Sequence, residues 1–158
     1  MAIIIKPMET DEEIRGKAFV HWKSWHDTYS GLINRDYLDK LTLAKCEELA
    51  FRWRDRILTA LDGGRIVGFV GYGTDTAGEG EIFALYILSD YYGTGLGIRL
   101  LDAALDRLND CSHVGLWVLK NNRRAIRFYE KRGFRPTGEE KAEPLLAATE
   151  IRMVRDRL

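Results

Sequence analysis

The stretch EIFALYILSDYYGTGLGIRLLDAALDRL, residues 81–108, decides the fold of this 158-residue chain. Its first part, 82–88, is a short apolar run rich in β-branched and aromatic residues, which predicts a buried strand. Its last part repeats apolar residues at helical spacing, which predicts an amphipathic helix. The apolar positions are Leu100, Leu101, Ala104, Leu105 and Leu108, and the solvent positions are Arg99, Asp102, Asp106 and Arg107.

Between the strand and the helix, glycine recurs at every second position, at Gly93, Gly95 and Gly97. Glycine lets a backbone approach a ligand closely, and the free N–H groups at a helix start attract anions. The pattern therefore suits an anion-binding turn, and it also suits an ordinary helix start. A dinucleotide fingerprint would need glycine where Ile98 stands, and a Walker loop would need Gly-Lys-Ser/Thr where the chain reads Gly97-Ile98-Arg99.

This turn resembles the pyrophosphate loop of the GNAT superfamily, the acyl-CoA-dependent N-acetyltransferases, which reads Gln/Arg-x-x-Gly-x-Gly/Ala. The corresponding residues are Tyr92, Gly93, Thr94, Gly95, Leu96 and Gly97. Tyr92 replaces the Gln or Arg of the family, but main-chain N–H groups and the helix N-terminus carry most of the anion binding in such a loop. Farther on, NRRAIRFYEKRGF, residues 122–134, resembles the second signature of the family, Asn-x-x-Ala-x-x-Phe-Tyr-x-x-x-Gly-Phe.

The resemblance implies that acetyl-CoA is the co-substrate and that its acetyl group passes directly to a primary amine of a small molecule or peptide. It implies that N–H groups at Leu85 and Ile87 bind the thioester carbonyl and the pantetheine arm, where the central strand separates from its neighbour. The implied cofactor contacts are completed by Tyr92, Gly93, Thr94, Gly95, Leu96, Gly97, Ile98 and Asn122. A non-catalytic acyl-CoA-binding regulatory module would carry the same motifs and is the alternative.

Tyr129 occupies the tyrosine position of the second signature, and the resemblance implies that it is the general acid toward the departing CoA thiolate. A phenol and a thiol have reference pKa values of about 10 and about 8.5, so a phenol can donate a hydrogen bond or a proton to the thiolate. The alternative is a structural tyrosine that packs beside Phe128.

Glu81 is the candidate general base that deprotonates the acceptor ammonium, through water. It precedes Tyr92 by eleven residues, an offset that resembles the catalytic glutamate of the histone-acetylating members of the family. Period-two alternation predicts that Glu81 shares a strand face with Phe83 and Leu85. The alternative is a solvated glutamate at a strand end, and Glu79 is the reserve candidate for the base.

Aromatic residues on the first predicted helix are candidate contacts to the acceptor. The pattern that contains Trp25, His26 and Tyr29 resembles the N-terminal helices of stand-alone bacterial GNAT proteins. In those proteins this region forms the wall of the cleft on the acceptor side. Aromatic residues at helical spacing usually pack in the core, so packing alone is the alternative. The resemblance also leaves a homodimer open, because dimers are frequent in the family.

Composition excludes several other classes of protein. Hydrophobic residues make up 46% of the chain, and Lys plus Arg and Asp plus Glu both number 24, so neither nucleic acid nor a membrane is an expected partner. Cys46, Cys111 and the three histidines lack ligand spacing, so no metal is expected. No apolar run approaches the ~20 residues of a membrane span, and we expect a cytoplasmic protein.

The order of elements predicts a single α+β domain over residues 1–158, with one mixed, mostly antiparallel sheet flanked by helices. The GNAT fold implied by the resemblance adds a splay between the two central parallel strands. The predicted strands are 3–5, 57–61, 66–72, 81–88, 114–119 and 149–154. The predicted helices run from 10 or 11 to a break at 29–31, from 35 or 36 to 51, from 96 to 109 and from 122 to 133. The polar stretch 136–144 is predicted to be a loop.

Overall fold

The structure is a computed structural model that describes residues 2–156, in which seven strands and five α-helices are present. The strands are β1 (Ile3–Pro7), β2 (Ile57–Asp62), β3 (Arg65–Thr74), β4 (Gly80–Ile87), β5 (His113–Leu119), β6 (Arg135–Glu143) and β7 (Ala148–Asp156). The helices are α1 (Asp11–Tyr29), α2 (Arg35–Lys40), α3 (Leu43–Arg52), α4 (Leu96–Arg107) and α5 (Arg123–Lys131), with a short 3-10 helix at Ser89–Tyr91. Among the described residues, none of these helices combines the length and the hydropathy that a membrane span requires.

All seven described strands form one sheet in the order β1-β2-β3-β4-β5-β7-β6. Every neighbouring pair is antiparallel except β4 and β5, which are parallel and central. Helix α4 connects these two parallel strands, because a parallel pair needs a long crossover rather than a tight turn. The predicted α+β class with a mixed, mostly antiparallel sheet is confirmed.

The two central strands pair over only a short length. Their pairs are Gly80 with Val114, Glu81 with Gly115 and Ile82 with Leu116. Strand β4 continues to Ile87 and β5 to Leu119 without further pairing between them. The two strands therefore separate beyond Ile82, which confirms the predicted splay.

The two faces of the sheet carry different helices. On one face, which we call the α1 face, the Tyr29 hydroxyl of α1 is hydrogen-bonded to the Tyr86 hydroxyl of β4 at 2.8 Å. On the other, the α4 face, a Cβ placed on Gly68 would lie 2.8 Å from Ile87 Cγ2 and 3.0 Å from Leu100 Cδ1. Helices α1 and α4 therefore pack on opposite faces of the sheet.

Burial along α4 follows the predicted apolar stripe. Leu100, Leu101 and Ala104 are fully buried, whereas Arg99 and Asp102 are exposed. The buried side of α4 packs on β2, β3 and β4. This packing fixes the first turn of α4 beside the end of β4, where the splay opens.

Two predicted segments differ from the structure. The single helix predicted to end at 51 is two helices, because Leu41 leaves helical geometry and the Thr42 side chain caps α3 by accepting a hydrogen bond from Lys45 N–H at 3.1 Å. The loop predicted over 136–144 is mostly strand β6. An exposed edge strand carries polar residues on both faces, so it lacks the alternation by which strands are recognised.

Candidate active site

The splay between β4 and β5 opens into a cleft of about 910 Å³. Its walls come from four elements that meet at the gap. Helix α1 contributes residues 23–25 and 27–29, β4 contributes 82–87 and β5 contributes 116–119. Helix α5 and its N-cap contribute Asn122, Arg124, Ala125, Phe128 and Tyr129. Single residues from the 3-10 helix, the loops, the first turn of α4 and β7 complete the lining, namely Ser89, Tyr92, Leu146, Gly97 and Glu150.

Two main-chain N–H groups of β4 point into this gap. The Leu88 N–H donates to the Val67 carbonyl of β3 at 2.9 Å, so the Leu88 amide faces β3. Because N–H direction alternates along a strand, the N–H groups of Leu85 and Ile87 point away from β3, toward the side where β5 has separated. The two N–H groups expected to bind the thioester carbonyl and the pantetheine arm therefore point into the gap.

The glycine loop enters α4 through two left-handed residues. Gly93 has φ +75° and Gly95, the N-cap of α4, has φ +87°, a region that side chains other than glycine rarely adopt. A Cβ at either position would meet nothing within 4 Å, so the conformation rather than crowding within the chain requires glycine. The first-turn N–H groups of Leu96–Ile98 lie directly after this turn, as an anion site at a helix start requires.

A cation that the sequence reasoning missed lies beside this loop. The Arg124 guanidinium of α5 stacks on the Tyr92 ring at 3.7 Å from its centre. Both residues line the cleft, so a positive charge lies beside the loop position where the family has Gln or Arg. Asn122 caps α5, because its Oδ1 accepts a hydrogen bond from Ala125 N–H at 3.2 Å.

Tyr129 lies in the wall of the cleft, on α5. Its ring packs edge-on against Phe128 and Phe134, with ring centres 5.3 and 5.6 Å apart. Burial raises the pKa of the Tyr129 phenol, and the nearby Tyr29 phenol adds to the shift. The phenol therefore keeps its proton at neutral pH, which a hydrogen-bond donor or general acid needs.

Glu81 lies at the closed end of the gap in a buried ion pair. Arg152 Nη1 donates to its two carboxylate oxygens at 2.8 and 3.0 Å, and the Glu81 side chain is 12% exposed. Burial raises the pKa of Glu81 above its ordinary value, and the Arg152 guanidinium opposes this shift without cancelling it. Glu79, the reserve candidate, accepts a hydrogen bond from His113 N–H at 3.0 Å.

The face on which Glu81 lies differs from the one predicted. The register of β4 against β3 shifts between Ile82 and Ala84, so Phe83 is the extra residue of a β-bulge. Glu81 and Ala84 share a face, because their partners on β3 are two residues apart, and Leu85 lies on the opposite face. The prediction that Glu81 and Leu85 share a face is wrong, because the bulge interrupts the period-two alternation on which it depended.

The candidate acceptor contacts on α1 divide into two groups. Trp25 and Tyr29 line the cleft, with ring centres 4.8 Å apart. His26 is not among the lining residues, and its Nε2 lies 3.0 Å from the carbonyl oxygen of Leu41, at the end of α2. The aromatic wall is thus formed by one side of α1.

Comparisons with known proteins identify the family. The model of the Acetyltransferase (GNAT) family matches residues 19–134. The uncharacterized N-acetyltransferase YuaI of Bacillus subtilis (strain 168) is 31% identical over 130 residues, which are 75% of this chain and 73% of that relative. The spermine/spermidine N(1)-acetyltransferase of the same strain is 33% identical over 86 residues, 48% of this chain and 57% of that relative. The chain therefore belongs to the GNAT acetyltransferase family, and the resemblance of its two signatures is confirmed.

A solved structure shows the same fold. The PaiA N-acetyltransferase of Thermoplasma acidophilum, crystallised in complex with coenzyme A, superimposes with a TM-score of 0.78 at 21% sequence identity, covering 99% of each chain. The fold of this chain therefore has a counterpart in a known N-acetyltransferase. Family membership and fold together define this chain as an acetyltransferase enzyme.

Proposed function

We propose that this chain transfers the acetyl group of acetyl-CoA directly to a primary amine of a small molecule or peptide. The observation that carries the proposal is the splay of β4 from β5, with the N–H groups of Leu85 and Ile87 directed into it. In the reaction, the acceptor ammonium first gives one proton to the base. The amine nitrogen then bonds to the thioester carbonyl carbon, the C–S bond breaks, the nitrogen loses a second proton and the sulfur gains one.

The residues of the cleft fit acetyl-CoA from one end to the other. The Leu85 N–H donates to the thioester carbonyl oxygen and polarises it, and the Ile87 N–H holds the pantetheine arm. The loop N–H groups from Gly93 to Ile98 bind the pyrophosphate, except those of Thr94 and Leu96, which donate to the Tyr91 carbonyl and to Thr94 Oγ1. Arg124 adds a positive charge beside them. The complex of PaiA with coenzyme A supports this assignment, because that protein shares the fold.

Two side chains supply the proton transfers in this proposal. Tyr129 protonates the leaving sulfur, supported by its place in the cleft wall and by burial, which raises the pKa of the phenol and so keeps it protonated before transfer. Glu81 takes the ammonium proton through water, supported by its raised pKa. It lies outside the cleft lining, on the face that carries Tyr86, so water must connect it to the amine.

The acceptor enters from the α1 face in this proposal. Trp25 and Tyr29 of α1 form its wall there, opposite the side on which α4 packs. A relative named for spermine and spermidine acetylation supports small amines, although the match covers only part of both chains. Peptide amines suit the same chemistry.

Amine-dependent release of the CoA thiol tests the proposal. The purified protein is given acetyl-CoA and a panel of small amines and peptides, and free thiol is measured with a chromogenic disulfide. We expect thiol release that requires an amine from the panel. Binding of acetyl-CoA without amine-dependent release from any member would favour the non-catalytic regulatory module.

Replacement of Gly95 by Val is expected to weaken acetyl-CoA binding roughly tenfold or more, measured by calorimetry. A β-branched residue resists the left-handed conformation of Gly95 and places methyl groups where the pyrophosphate must approach the loop.

Gly78→Val is the matched control for this loss. Gly78 has φ +79°, its Cβ would also meet nothing within 4 Å, and it lies in the β3–β4 turn outside the cleft lining. We expect Gly78→Val to cause the same backbone strain as Gly95→Val but to leave the affinity for acetyl-CoA unchanged. If folded Gly95→Val bound acetyl-CoA like wild type, the pyrophosphate site would lie elsewhere.

A further inference from the structure

We infer that Glu150 anchors a second positive charge of the acceptor, so that the cleft selects amines carrying another ammonium group some distance from the reacting nitrogen. The inference rests on the proposed acyl transfer and names the class of its acceptor. It starts from a carboxylate on β7 that neither family signature contains.

Glu150 lies beside the open part of the gap. It pairs with Leu119 of β5. Leu119 lies three residues past Leu116, which is the last residue of β5 that pairs with β4. On β4, Phe83 is an extra residue of the bulge, so the same level falls at Tyr86, between Leu85 and Ile87. Glu150 therefore flanks the height at which the acetyl group is proposed to bind, whereas Glu81 lies at the closed end. Glu150 also lines the cleft.

The face on which Glu150 lies is the acceptor side. Glu150 and Arg152 are two residues apart on β7 and so point to the same face. Arg152 reaches the Glu81 carboxylate and covers Gly115, since a Cβ at Gly115 would clash with its guanidinium. Glu81 in turn shares its face with Tyr86, which contacts α1. Glu150 thus belongs to the α1 face.

The negative charge of Glu150 is held only loosely by the chain. Its side chain is 20% exposed, and Lys141 Nζ lies 3.7 Å from Oε1, longer than a hydrogen bond. Lys141 also lies 3.6 Å from Glu143 and 4.5 Å from the ring centre of Trp117. Burial raises the pKa of Glu150 and Lys141 opposes the shift, so a closer cation would stabilise the carboxylate.

The other charged side chains that line the cleft within residues 2–156 have closer partners. Asp27 is bonded to Lys23 at 3.2 Å, and Arg124 stacks on the Tyr92 ring at 3.7 Å. Glu150 is therefore the lining charge with the most to gain from an incoming ammonium group.

Aromatic rings next to Glu150 suit the rest of such an acceptor. Phe83 projects from the bulge with 65% exposure and lines the cleft with Trp117. Tyr29 lies near enough that the Glu150 charge contributes to raising the pKa of its phenol. Ring faces attract ammonium groups and cover alkyl chains. The Lys141 ammonium already lies near both Trp117 and Glu150, and shows that this place accepts a cation.

The test compares 1,4-diaminobutane with 1-aminopentane, in which a methyl group replaces the second ammonium group. Specificity constants come from thiol release, and binding of each amine to the CoA-saturated protein comes from calorimetry. We expect wild type to favour the diamine roughly tenfold or more, and Glu150→Gln to lose that preference by lowering the diamine value alone.

Glu140→Gln is the matched control, because it removes a carboxylate of β6 that is bonded to Lys120 at 2.9 Å and lies outside the cleft lining. It should keep the preference for the diamine. An equal effect of Glu150→Gln on both amines, or no effect on either, would overturn the inference. If the diamine binds in a way that depends on Glu150 but no thiol is released, the inference is supported and the acyl transfer is contradicted. Failure of the inference and failure of the proposed function therefore give different results.

Discussion

Replacement of Tyr129 by Phe is expected to lower turnover roughly ten- to a thousandfold and to leave acetyl-CoA affinity nearly unchanged. The change removes only the hydroxyl, while the ring contacts with Phe128 and Phe134 remain. Burial raises the pKa of this phenol, so the wild-type enzyme holds the proton at neutral and mildly alkaline pH. In the proposed mechanism, the departing thiolate then lacks its proton donor. Steady-state thiol release and calorimetry measure the two quantities.

Tyr72→Phe is the control for loss of a tyrosine hydroxyl. Tyr72 lies on β3 outside the cleft lining, and its hydroxyl accepts only a long hydrogen bond from Arg107, at 3.4 Å. Its turnover should match wild type. Wild-type turnover in Tyr129→Phe would remove Tyr129 from the mechanism and leave it as a packing residue of α5.

Replacement of Glu81 by Gln is expected to lower turnover about a hundredfold near neutral pH and to restore part of it at alkaline pH. An alkylammonium with a pKa of about 10 is almost fully protonated at neutral pH, so the reaction needs a base there. As the pH rises, more amine is already neutral and the base matters less. Burial raises the pKa of Glu81, so wild-type turnover should fall as the pH drops through that raised value.

Glu79→Gln distinguishes the two candidate bases. It removes a neighbouring carboxylate charge and keeps an oxygen that can accept the hydrogen bond from His113 N–H. Because Glu81→Gln leaves the Arg152 charge unpaired, thermal denaturation must first show that this variant is folded. If Glu81→Gln kept the wild-type pH–rate profile and Glu79→Gln lost it, Glu79 would be the base.

The sequence was sufficient to predict most elements of the fold, but not strand β6, because the signals of the others are local. Period-two and helical spacing fall within single elements, as along the stripe of α4 that contains Leu100 and Ala104. Gly93 and Gly95 adopt positive φ angles that favour glycine, and the recurrence of glycine in the sequence indicates such a turn. The resemblance of two signatures then supplied the splay, which no spacing rule predicts.

Features that depend on pairing between strands were not predictable in the same way. The bulge at Phe83 adds one residue to β4 relative to β3, and nothing in the local pattern marks it, so the face of Leu85 was assigned wrongly relative to Glu81. Glu150 is remote in sequence from both signatures, and only the pairing of β7 with β5 brings it to the gap. Arg124 could have been noticed, because it lies within the second signature.

Direct transfer of the acetyl group to an amine is the central claim, and isotope tracing tests it most directly. The protein is incubated with acetyl-CoA labelled with carbon-13 in its acetyl group, first alone and then with 1,4-diaminobutane, and mass spectrometry follows both the intact protein and the small molecules. We predict label on the amine, in amounts equal to the free CoA, and none on the protein beforehand. A labelled protein that passes its label to the added amine would contradict direct transfer.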